Sequence, residues 1–396
     1  MRHLSAAATV AMIGATLSAP ALAAPVVCNA VWTDAARGGR TVPVRIRMPQ
    51  GHGPAPVILF SHGLGGGLDA GADWVTAWSE AGFMTVNIQH AGSDTAIWKG
   101  RMRPMQGLRA AMNGEQLEAR AGDVHFVLDR LEKGGREGAC DLGRVDMGRV
   151  GMAGHSFGAQ TTLAVSGARY GGAAIMRDPR IKAAIALSPQ PAQGQDDRSA
   201  FGGITIPFFS ITGTRDELPF LNKVTPQDRT RPFAAMPAGH KYLLVLDGAN
   251  HMMLGGQSTR MPGTSPNTHI VDAVTRLTID FWQTYLISGA NRPDLIANDR
   301  HVLSTKDHFE RRPGRSGARG GTGVRVGDCR RAGDAASGGR HVRAVSRSAG
   351  QPLRDQGGLR HEPLLFCPAE TGRRHSRRAG RQCDRSLLSA TLGWHA

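Results

Sequence analysis

Short apolar and β-branched runs alternate with amphipathic stretches along this chain from about residue 40 to residue 290. Residues 56–60 (PVILF) form a continuous apolar run that stops at Ser61-His62-Gly63, which predicts a strand buried on both faces. Residues 83–88 (FMTVNI) predict a second strand, with Thr85 and Asn87 set between its apolar residues. Residues 118–133 place Ala121, Val124, Val127, Leu128 and Leu131 at helical spacing, which predicts a crossover helix. Residues 149–153 predict a short strand that runs straight into Gly154. Residues 181–187, 206–211 and 242–246 supply three more strands, and residues 269–287 close the series as an amphipathic helix. Strands separated by crossover helices predict an α/β architecture, a mostly parallel central sheet with helices on both faces, in a single catalytic domain.

Three segments depart from this pattern. Residues 92–116 carry Trp98, Met102, Met105, Leu108 and Met112 among Arg and Gly without a strict period. They read either as a pocket wall beyond a strand's C-terminal end or as a solvated loop with a short helix. Residues 1–23 have a short basic start (Arg2, His3), an Ala-rich apolar stretch and Ala21-Leu22-Ala23, the pattern of a secretory signal peptide. The expectation is therefore a secreted or periplasmic protein whose domain spans 24–304. No later stretch is apolar enough to span a bilayer. Export makes disulfides admissible, and Cys28 and Cys140 are the candidate pair within the domain.

The third departure, residues 305–396, changes how the charge is read. From Arg311 onward there are 18 Arg and six acids, a net of +12, so only +4 of the chain's +16 belongs to the first 310 residues. The domain is nearly neutral, and its charge points to no nucleic-acid partner. With Gly, Ser and Ala as filler, the tail has too few apolar positions to offset the entropy of ordering it, and disorder is expected. It reads as a polybasic arm for nucleic acid or an anionic surface, or as a frame-shifted translation of a GC-rich gene, the preferred reading. Cys329, Cys367 and Cys383 in the tail have no metal-ligand spacing.

The candidate chemistry centres on Gly154-His155-Ser156-Phe157-Gly158, a G-x-S-x-G pentapeptide between a predicted strand and an apolar helical run. A nucleophile at the apex of a strand-to-helix turn needs glycines where a Cβ would strike neighbouring elements. The competing reading of Ser156 is a helix cap. A serine hydroxyl needs a base to take its proton and an acid to orient that base, in the order Ser, acid, His for this type of sheet. His251 follows the strand at 242–246 and is the candidate base, while His240 precedes that strand and His269 opens the last helix. Asp216 follows the strand at 206–211 and is the candidate acid, with Glu217 and Asp247 as rivals. Backbone N–H groups of Leu64, in Ser61-His62-Gly63-Leu64-Gly65-Gly66-Gly67, and of Phe157 are the candidate oxyanion donors. No Lys-Ser/Thr follows that glycine run, which excludes a P-loop. His155, Trp98, Met102 and Met105 are candidate substrate contacts.

In these blocks the chain resembles the bacterial dienelactone-hydrolase-like serine hydrolases related to plasma-type platelet-activating-factor acetylhydrolase. The carrying residues are 60–66 (FSHGLGG), 87–94 (NIQHAGSD), 120–131, 154–159 (GHSFGA) and Asn250-His251. The resemblance implies an α/β-hydrolase fold, no metal or organic cofactor, and a nucleophile, acid and base at Ser156, Asp216 and His251. True dienelactone hydrolases use a cysteine nucleophile, and Ser156 departs from that. Taken together, the residues predict a monomeric serine carboxylesterase for short- to medium-chain esters. A lipase or polyester hydrolase on the same triad is the alternative, and a nucleic-acid-binding protein acting through the tail is a third reading.

Overall fold

Among the described residues nine strands share one sheet, in the spatial order Val26–Asp34, Arg40–Met48, Met84–Ile88, Ala55–Ser61, Val145–His155, Ile181–Leu187, Phe208–Arg215, Lys241–Asn250 and His308–Arg312. The structure, a computed structural model, describes residues 25–98, 104–219, 223–257, 267–287, 296 and 299–312. The expected signal peptide, residues 1–23, and residues 313–396 lie outside the described residues.

The strands are β1 (Val26–Asp34), β2 (Arg40–Met48), β3 (Ala55–Ser61) and β4 (Met84–Ile88), then β7 (Val145–His155), β8 (Ile181–Leu187), β9 (Phe208–Arg215), β10 (Lys241–Asn250) and β11 (His308–Arg312). Two-residue strands β5 (Arg136–Glu137) and β6 (Cys140–Asp141) pair separately. From β4 through β3, β7, β8 and β9 to β10 every pairing is parallel. β2 runs antiparallel to both neighbours, and β11 runs antiparallel to β10.

Helices cover both faces, which is why the central strands read as unbroken apolar runs. All seven residues of β3 are buried. Val57 and Leu59 face the core beneath α3 (Gly114–Glu132) and α4 (Phe157–Ser166). Ile58 and Phe60 face the opposite core, beneath α1 (Ala72–Glu80) and the last helix, α5 (Thr268–Trp282). Helix α3 begins four residues before the predicted start, because Asn113 caps it by accepting from the Gln116 N–H at 2.8 Å. Cys28 on β1 and Cys140 on β6 form a disulfide with Cα atoms 6.2 Å apart, across 112 residues of chain. Closing a loop of that length stabilises by about 4–5 kcal/mol in a chain-entropy account.

The expected domain end at 304 is corrected by β11. Residues 308–312 add a strand to the open edge of β10, from Lys241↔Arg312 to Val245↔His308. Phe309 joins the rings of Phe209 and Tyr242. The Arg312 guanidinium lies 4.3 Å from the centre of the Phe233 ring and donates to the Phe233, Ala234 and Met236 carbonyls. An Arg-rich stretch thus supplies one strand through a single Phe and the backbone bonds that an exposed edge offers.

Candidate active site

Because β7, β9 and β10 run parallel, their C-terminal ends fall on one edge of the sheet. Ser156, Asp216 and His251 each sit one residue beyond such an end. Ligands of open α/β sheets bind at this edge.

Ser156 occupies the turn between β7 and α4 at φ 57°, ψ −114°, a region that non-glycine residues rarely enter. Its side chain makes no capping hydrogen bond to α4, so the capping alternative is not what the structure contains. The two glycines of the pentapeptide are sterically required. A Cβ at Gly158 would overlap the Ser61 carbonyl, and one at Gly154 would overlap the Gly158 carbonyl. Both contacts are with backbone, which cannot swing aside.

His251 meets Asp216 through Nδ1···Oδ1 at 2.6 Å. A carboxylate only accepts, so the proton of that ring is on Nδ1 and the lone pair on Nε2. Asp216 is fully buried and also accepts from the Thr212 hydroxyl at 2.7 Å. Its rivals are elsewhere: Glu217 is exposed, and Asp247 is exposed and accepts from the Thr214 hydroxyl. The sequence reading missed Arg229, a fully buried side chain whose Nε lies 3.0 Å from Asp216 Oδ1 and donates to the Asp216 carbonyl at 2.7 Å. Its Nη1 donates to the Ser188 carbonyl at 3.0 Å, tying the loops after β8 and β9 together. Burial by itself would raise the Asp216 carboxyl. The His251 hydrogen bond and the Arg229 charge overcome it and hold the group below the usual carboxylate range.

The loop after β3 runs alongside. A Cβ on Gly63 would lie 3.4 Å from Ser156 Cβ, so this loop lines the serine directly. The Gly65 N–H donates to the Ser93 carbonyl at 2.9 Å and the Gly66 N–H to the Gly63 carbonyl at 3.0 Å. Just before these engaged amides, the Leu64 N–H finds no acceptor among the described residues. Trp98, 48% exposed, donates from its indole to the Gly65 carbonyl at 2.8 Å and so stands beside this loop. Met102 lies outside the described residues. So does the side chain of Met105, whose backbone belongs to α2 (Pro104–Ala111).

His155, expected to meet substrate, is turned inward. Its Nε2 donates to the His251 carbonyl at 2.9 Å, and the two rings pack 4.7 Å apart. It is buried against Gly63 and Gly255 and positions the His251 loop from below.

Three histidines of this region are buried and held neutral. Burial, followed by the neighbouring His251, pushes His155 down to about 3. Burial and the Arg120 charge push His90 down to about 4 and hold His62 well below its usual value. In the unfolded chain these rings titrate near 6.5. Between about 6.5 and 4 the unfolded state therefore binds more protons, so stability is fully present above that window and is lost as pH falls through it. By pH 5 the upper-bound loss is about 2 kcal/mol per ring. Urea denaturation at pH 7.5 and 5.0 is expected to show a clear drop in midpoint, and equal midpoints would contradict the buried neutral rings.

Among the described residues no group of three His, Cys, Asp or Glu is placed to hold a metal ion, and no helix is long and apolar enough to cross a membrane.

A strand order of 1-2-4-3-7-8-9-10 with only β2 reversed against a parallel centre, and a serine at positive φ in the β7–α4 turn, define the α/β-hydrolase fold. No family model matches the chain, and no curated protein matches it. Among solved structures it is similar to a ferulic acid esterase from Streptomyces cinnamoneus, at 19% identity over 70% of this chain and 95% of that one, with a TM-score of 0.44. A 2,6-dihydroxy-pseudo-oxynicotine hydrolase is 16% identical over 67% of this chain and 70% of its own, with a TM-score of 0.45. A cold-adapted esterase from an Arctic intertidal metagenomic library is 19% identical over 63% and 92%, with a TM-score of 0.41. The fold assignment rests on the strand order and the serine turn themselves.

Proposed function

We propose that this chain is a serine carboxylesterase that hydrolyses short- to medium-chain carboxylic esters through an acyl-enzyme on Ser156. The observation that carries the reading is the 2.6 Å His251–Asp216 bond, which leaves Nε2 as the basic nitrogen at the sheet edge that also holds Ser156. Nε2 takes the Ser156 proton as the hydroxyl oxygen attacks the ester carbonyl, and the carbonyl oxygen becomes an anion facing the Leu64 and Phe157 N–H groups. The imidazolium, stabilised by Asp216, then protonates the leaving alcohol. Water enters, loses its proton to the same Nε2, and attacks the acyl carbonyl; collapse of that second adduct returns the proton to Ser156 and frees the acid. Every step moves one proton between oxygen and Nε2, so no cofactor is needed.

Relation to the dienelactone-hydrolase-like serine hydrolases fits the serine, acid and base positions. A secreted or periplasmic location fits both the first 23 residues and the Cys28–Cys140 disulfide, since such bonds persist in oxidising compartments. Two exposed apolar side chains, Trp98 at 48% and Met252 at 47%, favour a second reading, hydrolysis of polyester chains or lipids lying across the site. A p-nitrophenyl ester series from acetate to decanoate, together with a polyester-film assay, separates the two. The first reading predicts the highest kcat/KM between acetate and butyrate and no film hydrolysis. A maximum at decanoate or release of film monomers would move the assignment to the second.

A further inference from the structure

We propose that Arg120 is a positioning residue that holds the two halves of the oxyanion site at a fixed separation, locked in place by a second, buried Ser61–His90–Asp123 relay. The proposal rests on the esterase reading given above. Its starting point is a misplaced charge: Arg120 is fully buried on α3, and its hydrogen bonds go to neutral acceptors. Burying a guanidinium without a directly bonded carboxylate is costly, and an apolar side chain would fill the same volume more cheaply. What only Arg adds is a rigid planar fork of five donors.

Those donors reach both sides of Ser156. Nη2 donates to the His62 carbonyl and, at 3.0 Å, to Ser61 Oγ, both at the root of the loop that carries Leu64. Nη1 donates at 2.8 Å to Ser93 Oγ, and the carbonyl of Ser93 accepts from the Gly65 N–H at 2.9 Å. Nε donates at 2.9 Å to Thr161 Oγ1, which in turn donates at 3.1 Å to the Phe157 carbonyl in the first turn of α4. The guanidinium carbon also sits 4.7 Å from the centre of the Phe157 ring. One side chain therefore braces the Leu64 loop and the Phe157 turn together.

The relay fixes the direction of every bond. Arg can only donate, so Ser61 Oγ accepts from it and must send its own proton to His90 Nε2, 2.9 Å away. Asp123 can only accept, so His90 carries its proton on Nδ1, 3.0 Å from Asp123 Oδ2. Arg40 at 2.7 Å and Arg37 at 2.8 Å balance the Asp123 charge. Ser61, His90 and Asp123 are each at most 1% exposed, so this Ser-His-Asp chain meets no substrate. Its chemistry is orientation: a single tautomer and a single set of donors, with no slack for the loop above.

The test uses Arg120→Met, Arg120→Lys and Ser61→Ala in the full chain, with kcat and KM for p-nitrophenyl butyrate, the pH profile of kcat/KM, and amide hydrogen exchange of residues 62–66. Arg120→Met is expected to lower kcat roughly 10- to 100-fold with KM within about threefold, because only anion stabilisation in the transition state is lost. Arg120→Lys is expected to fall between that variant and the parent, since one ammonium cannot span both halves, and Ser61→Ala to lose about 3- to 10-fold. The acid-limb midpoint is expected to stay where the parent has it, and exchange at 62–66 to quicken in all three. A folded Arg120→Met protein with parental kcat overturns the proposal. So does a loss explained wholly by a shifted midpoint or by KM. If Arg120→Met does not fold, Arg120→Lys and Ser61→Ala decide by the same criteria. If the parent hydrolyses no ester, the esterase reading fails by itself, and exchange alone decides the brace: unchanged rates at 62–66 overturn it.

Discussion

Ser156→Ala is expected to lower p-nitrophenyl butyrate hydrolysis by at least about 10⁴-fold while the protein remains folded. In the proposed mechanism the size follows from the chemistry: without the hydroxyl no acyl-enzyme would form, and only the oxyanion donors and ester binding would remain to assist direct attack by water. The intact fold follows from the surroundings. The hydroxyl caps no helix, and alanine meets the same positive φ that serine already tolerates, so backbone strain is unchanged. Thermal melts of both proteins, recorded beside the rates, check that the loss is chemical. Parental activity in the purified variant would remove Ser156 from the reaction.

The second large effect is expected at the acid. Asp216→Asn should cost roughly 10³- to 10⁴-fold in kcat, because an amide NH₂ facing Nδ1 favours the wrong tautomer of His251. Stability should suffer as well. Arg229 would keep its buried charge and lose its carboxylate, a change that typically costs about 3–5 kcal/mol. Glu217→Gln and Asp247→Asn, by contrast, should stay within about threefold of the parent in kcat, as neither carboxylate is bonded to His251. Comparable losses at Glu217 or Asp247 would mean that the loop after β9 or β10 adopts a different register during turnover. Urea denaturation of the Asp216 variant measures the stability part separately from the kinetic one.

The parallel centre was readable because burial on both faces writes itself into the sequence as unbroken apolar runs such as 56–60 and 242–246. Loop positions after those runs placed Ser156, Asp216 and His251 at one edge without coordinates. The outer strands were not readable in the same way. β1 and β2 form a hairpin whose outer strand exposes Val26, Val27 and Val31, so hydrophobicity there does not mark a core. β11 is hidden inside an Arg-rich stretch, where one Phe and an open sheet edge outweigh composition.

The larger omission concerns charge. Arg229, Arg120 and Asp123 are ionic and fully buried, whereas single-sequence reasoning assigns such residues to the solvated surface. Their bonding partners lie 13 to 86 residues away, such as Asp216 for Arg229 and Arg37 for Asp123, and no local pattern records a contact of that range. One signal was present: the block at 120–123 interrupts the apolar stripe of α3 with two opposite charges on its buried side. His155, expected to meet substrate, instead donates from Nε2 to the His251 carbonyl and packs against the His251 ring, a contact across 96 residues that its place in the pentapeptide does not record.

The measurement closest to the central claim is fluorophosphonate labelling of the purified protein followed by peptide mapping. The reagent phosphonylates a serine hydroxyl only where a neighbouring base makes it nucleophilic. The label is expected in stoichiometric yield on the peptide containing Ser156, and absent from Ser156→Ala. A label on any other serine, or none on a folded protein, would contradict the assignment.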